Sequence, residues 1–98
     1  MKIMSEYSVI HLIVKGNVQG IGYRWFVKRT ALSYGLSGWV RNLENGDVKV
    51  EAAGQKEKFE SFIEAIKNNH PYANVNDIQQ ERIDENTSIN SGFEIEPD

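Results

Sequence analysis

The sequence predicts an α+β sandwich: strand, helix, strand, strand, helix, strand, and a short extra strand, with two helices on one face of a mainly antiparallel sheet. Three observations carry this. The hydrophobic spacing switches twice between the two-residue repeat of strands and the 3.6-residue repeat of helices. An Asn45-Gly46 pair separates two extended runs, a strong local hairpin signal. The length of 98 residues, with 40% hydrophobic and 26% charged residues, suits one globular domain with a modest core.

The elements follow in chain order. Tyr7 to Val14 (YSVIHLIV) is apolar or β-branched at nearly every position, as for a strand central in a sheet. The loop Lys15 to Gly22 follows, with glycines at 16, 20 and 22. Tyr23, Phe26, Val27, Thr30, Ala31 and Tyr34 then fall at helical spacing, and Gly35 stops that helix where a left-handed residue is wanted. A second strand covers Leu36 to Leu43. Asn45-Gly46 predicts a type I′ turn into the alternating strand Asp47 to Ala53, which Gly54 ends. Gln55 to Asn69 reads as a helix burying Phe59, Phe62, Ile63 and Ile66. Glu57 and Glu60 lie near its positive end and Lys67 near its negative end. His70-Pro71 closes it, because the residue before proline is pushed out of the α region. Val75 to Ile83 is a weaker strand, Asp84 to Gly92 a polar loop, and Phe93 to Ile95 a terminal strand. This order is the split βαβ, ferredoxin-like arrangement, βαββαβ plus a short C-terminal strand. Many unrelated functions use it, so function must be argued from the site.

Composition narrows the function. With no cysteine, a disulfide framework, a thiolate metal site and a cysteine nucleophile are excluded. No apolar run approaches the roughly 20 residues of a membrane span, and Met1 to Glu6 leads into no signal core. A cytoplasmic location with no membrane partner is the expectation. The net charge of −3 argues against a nucleic-acid partner. It also hides an asymmetry. Tyr7 to Leu43 holds Lys15, Arg24, Lys28, Arg29 and Arg41 and no carboxylate, whereas thirteen acids and five bases follow from Glu44 onward. The acid-free half can hold a small anion without repelling it.

Topology concentrates that half on one region. A strand–helix–strand crossover makes its two strands parallel, so their carboxyl ends share one sheet edge. The glycine loop leaves the first strand there, Asn42 ends the second, and Arg24 stands in the first turn of the helix beginning at that edge. Glycines let backbone N–H groups curl toward a bound atom, a helix N-terminus favours an anion, and arginine offers a two-pronged donor matched to phosphate oxygens. A Walker-type loop is ruled out, since no Gly-Lys-Ser/Thr occurs.

Two segments carry a family resemblance. Val14-Lys15-Gly16-Asn17-Val18-Gln19-Gly20-Ile21-Gly22-Tyr23-Arg24 resembles the first signature of the acylphosphatases, and Gly38-Trp39-Val40-Arg41-Asn42-Leu43-Glu44-Asn45-Gly46-Asp47-Val48 resembles the second. Ile21, where valine is commoner, is a small departure. The resemblance extends over residues 7–95 and implies a single acylphosphatase-like domain spanning 1–98. It implies hydrolysis of an acyl phosphate to a carboxylate and inorganic phosphate by a monomer without metal or organic cofactor. Arg24 and the backbone of Gly16, Asn17, Val18, Gln19, Gly20, Ile21, Gly22 and Tyr23 are the implied phosphoryl-binding groups, and Asn42 the residue that orients water. The chemistry is consistent with this, because a carboxylate leaves without protonation and the site needs no general acid.

Other readings are weaker. Arg41 should face the opposite side of the sheet from Asn42 and serve structure or solvation. His11 reads as a partly buried structural residue, His70 as a helix-end cap, and Glu57, Glu60 and Glu64 as a solvated face. Trp25, Trp39 and the phenylalanines read as packing residues. An RNA-binding module of this fold would need aromatics on the open face in an Arg/Lys-Gly-aromatic context, which is missing. A non-catalytic anion binder would fit the loss of Arg24 or Asn42, and both are present. A carbamoyl-phosphate-processing domain of a larger enzyme sits poorly with a chain ending at residue 98.

Overall fold

The computed structural model describes residues 7–83 and 92–97. The elements are β1 (Tyr7–Asn17), α1 (Tyr23–Ser33), β2 (Ser37–Asn42), β3 (Val48–Gln55), α2 (Phe59–Asn68), β4 (Asn74–Ile83) and β5 (Phe93–Ile95). The sheet order is β4-β1-β3-β2-β5. Pairing is antiparallel throughout, except that β5 runs parallel to β2. This is the ferredoxin-like α+β fold.

Alternation along the strands decides which side faces the helices. Ile10, Leu12 and Val14 of β1, Val40 of β2 and Val48, Val50 and Ala52 of β3 are buried beneath Val27 and Ala31 of α1 and Phe59, Phe62 and Ile66 of α2. The intervening residues make the other face: His11, Lys49, Glu51, Trp39 and Arg41 are half-buried or exposed there. His11 Nε2 lies 2.9 Å from Glu51 Oε1, so the histidine is tied into the sheet surface. Arg41 lies over the Trp39 ring, 5.2 Å from its centroid, and 3.9 Å from Glu96 Oε1, on the opposite face from Asn42 as alternation requires. Among the described residues, no helix is long and apolar enough to cross a membrane.

The helix ends show their local causes. Gly35 has φ 73°, and the bonds from Leu36 N–H to Ala31 O (2.9 Å) and from Gly35 N–H to Leu32 O (3.0 Å) form a Schellman cap. After α2, His70 Nδ1 accepts from the N–H groups of Tyr72 and Ala73, each at 3.1 Å. Its ring also packs edge-on against Phe26 at 5.1 Å, so His70 does more than cap a helix.

Four local expectations are corrected. The Asn45-Gly46 hairpin is not type I′, because Asn45 lacks the positive φ that this turn requires. Gly46 N–H bonds Leu43 O at 3.2 Å and Leu43 N–H bonds Asp47 O at 2.8 Å, closing a three-residue loop with Gly46 at φ 99°. Asn45 Oδ1 accepts from Asp47 N–H instead, and this Asx bond needs no left-handed asparagine. β1 continues three residues past Val14, because β4 pairs with it through a bulge at Lys15/Gly16. The second helix begins later than expected: Gln55 stays in β3, and Lys56–Lys58 form a 3₁₀ turn before α2. Trp25 is 62% exposed rather than packed. The expected loop Asp84 to Gly92 lies, except for Gly92, outside the described residues.

Candidate active site

β1 and β2 both run antiparallel to β3 between them and are therefore parallel to one another. β5 is parallel to β2, so three carboxyl ends meet at one sheet edge. The chain from β1 crosses this edge through residues 18–22 and enters α1. Gly20 (φ 78°) and Gly22 (φ 76°) are left-handed with open space where a Cβ would sit, so conformation rather than crowding demands glycine. Gly22 is the N-cap of α1, no side chain caps that end, and its first turn holds no acid. The N-terminal dipole of α1 thus faces the edge without a carboxylate of its own turn to offset it.

Val18, Gly20, Gly22, Tyr23, Arg24, Trp25, Asn42 and Ile95 line a cleft of about 120 Å³ at this edge. That is the volume of about four waters in the liquid, suited to a group of phosphate size. None of the eight is acidic. The Asn42 side-chain oxygen is buried here. Arg24 is half-buried, and its Nη1 donates to the Glu96 carbonyl at 2.7 Å, which anchors a guanidinium that carries five N–H donors. Of the residues predicted for the site, six share this cleft: Arg24, Asn42, Val18, Gly20, Gly22 and Tyr23.

The other four lie outside it. Gly16 lies in β1, and a Cβ there would run into the Asn74 carbonyl oxygen, so this glycine admits the close approach of β4. Asn17 ends β1 opposite Asn74. Ile21 packs against the core. Gln19 has a role that its place in a loop motif does not reveal: its Nε2 donates to Leu43 O (2.9 Å) and Asp47 O (2.8 Å). One side chain therefore ties the glycine loop to the hairpin that follows Asn42. Lys15 Nζ pairs with Asp47 Oδ2 at 3.0 Å, offsetting the carboxylate at that hairpin. Beneath the loop, Tyr23 is buried and its hydroxyl donates to Ile66 O at 2.7 Å, linking α1 to α2. Burial pushes the Tyr23 phenol above its ordinary range.

Three contributors escaped sequence reasoning. Glu96 reaches Arg24 through its backbone carbonyl, and Ile95 and Trp25 wall the cleft. A three-residue strand has no periodicity from which its register could be read, and a backbone acceptor leaves no residue signature. Not every acid lies away from the site either, since Glu96 returns to its edge with its carboxylate toward Arg41. Among the described residues, no three of His, Asp or Glu group as a metal site would require.

Fold and edge together define a small ferredoxin-like protein with a carboxylate-free cleft between a glycine loop, an arginine and an asparagine. The acylphosphatase family model matches residues 10–95, and the chain belongs to the acylphosphatase family. It is 45% identical over 75 residues to an acylphosphatase of Bacillus subtilis, an alignment covering 76% of this chain and 79% of that one. Against an acylphosphatase of Bacillus licheniformis it is 40% identical over 82 residues, covering 84% and 88%. The crystal structure of acylphosphatase from Bacillus subtilis superposes with a TM-score of 0.86 at 36% identity, covering 92% of this chain and 99% of that one.

Proposed function

We propose that this protein is a metal-independent acyl phosphate hydrolase, working as a cytoplasmic monomer built from one domain. The observation that carries this is the meeting of Arg24, Asn42 and the left-handed glycines in one small cleft without a carboxylate. Arg24 and the N–H groups at the start of α1 hold the phosphoryl oxygens and stabilise the charge they gain in a loose transition state. The Asn42 side chain, which lines the cleft, accepts a hydrogen bond from the attacking water through its amide oxygen. A neutral amide orients water without repelling the phosphoryl charge, as a carboxylate would.

The step balances simply. Water oxygen bonds to phosphorus, the phosphorus–oxygen bond to the acyl group breaks, and the carboxylate departs with the electron pair. The proton lost by water goes to a phosphoryl oxygen, giving inorganic phosphate. Glu96 and Gln19 set the geometry, one by anchoring Arg24 and the other by holding the loop against the hairpin.

Hydrolysis of a synthetic aryl acyl phosphate in the presence of EDTA tests the reading. Turnover should survive the chelator, and Arg24→Ala and Asn42→Ala should each lose about 10²–10³-fold in kcat, the scale for removing a transition-state donor. Asn42→Ala should keep its affinity for inorganic phosphate, while Arg24→Ala loses it. Unchanged turnover in both variants rejects the mechanism, and a wild type that binds phosphate without turnover is an anion-binding module instead.

A further inference from the structure

The cleft has room for a phosphoryl group, so the acyl part of a substrate must emerge through its mouth. What stands there is unusual for a surface. Trp25 is 62% exposed and lines the cleft, directly after Arg24, which lines it too. Of the four large hydrophobic side chains exposed among the described residues, it alone does so; Tyr7, Leu32 and Tyr72 lie elsewhere. Half-buried Ile95 lines the same cleft from β5. The Lys28 ammonium lies 5.4 Å from the indole centroid, a cation–π contact one helical turn on. An exposed indole beside a polar cradle offers area that a flat apolar group can cover.

We infer that Trp25, with Ile95, forms the acyl subsite, and that it selects acyl phosphates with an aromatic or bulky apolar acyl group over those with a small one. This rests on the hydrolase reading and adds the substrate class to it. Arg24 and the loop set the phosphoryl position, so an aryl acyl group gains contact with the indole, while an acetyl or carbamoyl group is too short to cover it. The subsite acts on binding, through KM, because the indole touches no reacting atom.

Steady-state kinetics with benzoyl phosphate and acetyl phosphate, on wild type, Trp25→Ala and Trp25→Phe, test the inference, with inorganic phosphate as competitive inhibitor. Trp25→Ala should raise KM for benzoyl phosphate by about tenfold, the upper range of an aromatic contact. Its KM for acetyl phosphate and its inhibition by phosphate should change by a clearly smaller factor, since neither ligand is long enough to cover the indole. Trp25→Phe should keep most of the preference. Equal changes for both substrates, or none for either, overturn the acyl subsite while leaving the hydrolase reading standing. A wild type that hydrolyses neither substrate overturns both.

Discussion

Two strand-to-helix junctions occur among the described residues, and only one has a helical start free of acids. The first, from β1 into α1, uses left-handed Gly20 and Gly22, keeps its first helical turn free of acids and places Arg24 there. The second, from β3 into α2, lies at the opposite sheet edge because β3 runs antiparallel to β1. There Gln55 is extended and a 3₁₀ turn containing Glu57 leads into a first turn holding Glu60. That junction also borders a groove, of about 500 Å³, lined by Glu57, Glu60 and Glu64 together with Lys56 and Arg82. The larger space is lined by charges of both signs with the acids in excess. The βα topology supplies a helix N-terminus twice, and the side chains decide whether it meets a ligand's negative charge or the chain's own.

The sharpest way to break the contrast is Arg24→Ala, with its expected loss of about 10²–10³-fold in turnover. Lys58→Ala, at the second junction, should change turnover by less than about twofold, as an exposed substitution remote from the cleft.

Glycines at helix ends extend the comparison. Gly22 and Gly35 both have positive φ, at the start and end of α1, and alanine at either carries about 1–2 kcal/mol of left-handed strain. Gly35→Ala should show this in thermal unfolding alone. Gly22→Ala should in addition lower kcat/KM by about tenfold, the equivalent of about 1.4 kcal/mol of displaced transition-state contacts. Equal activity losses in the two variants would remove the special role of the first junction.

A smaller effect is expected from Gln19→Ala, which deletes the two bonds from the glycine loop to the hairpin. A net value of about 1 kcal/mol corresponds to about fivefold in kcat/KM if the loop's placement carries it. The readout is weaker inhibition by inorganic phosphate, measured well below the unfolding temperature so that lost stability does not enter.

Tyr23→Phe probes the link from the first junction to α2 and should cost about 1 kcal/mol of stability through the lost bond to Ile66. Its pH dependence has a definite sign. Burial raises the folded-state pKa of the phenol above its ordinary value of 10.0. The folded protein therefore holds this proton more tightly than the unfolded chain. The stability from its neutral form is complete below pH 10 and is lost as pH rises beyond 10. Denaturant titrations across the alkaline range should show a shallower loss in the variant than in the wild type.

Much of the site was legible because its chemistry is local. Glycines before a helix, an arginine in its first turn and an asparagine at a strand end are visible in order, and the crossover rule brings them to one edge. The hairpin was placed correctly and its turn type was not, since Asn-Gly also suits a three-residue loop in which only Gly46 is left-handed. Gly16 belongs by sequence to the loop motif, yet its need for glycine comes from β4, more than fifty residues away. Trp25 was read as packing, because an aromatic on a helix is buried more often than not; its exposure follows from which face α1 turns to the sheet.

By itself, the sequence determined the elements, their order and the identity of the charged and polar groups that converge, because hydrophobic period and turn chemistry act over a few residues. Tertiary structure alone decided how those groups are held. The parallel register of β5 beside β2 brings the Glu96 carbonyl to Arg24 and Ile95 to the cleft, and Gln19 finds two carbonyls across the hairpin. Every residue has a backbone carbonyl, so nothing in residue type marks the ones that will serve, and only the packed sheet selects them.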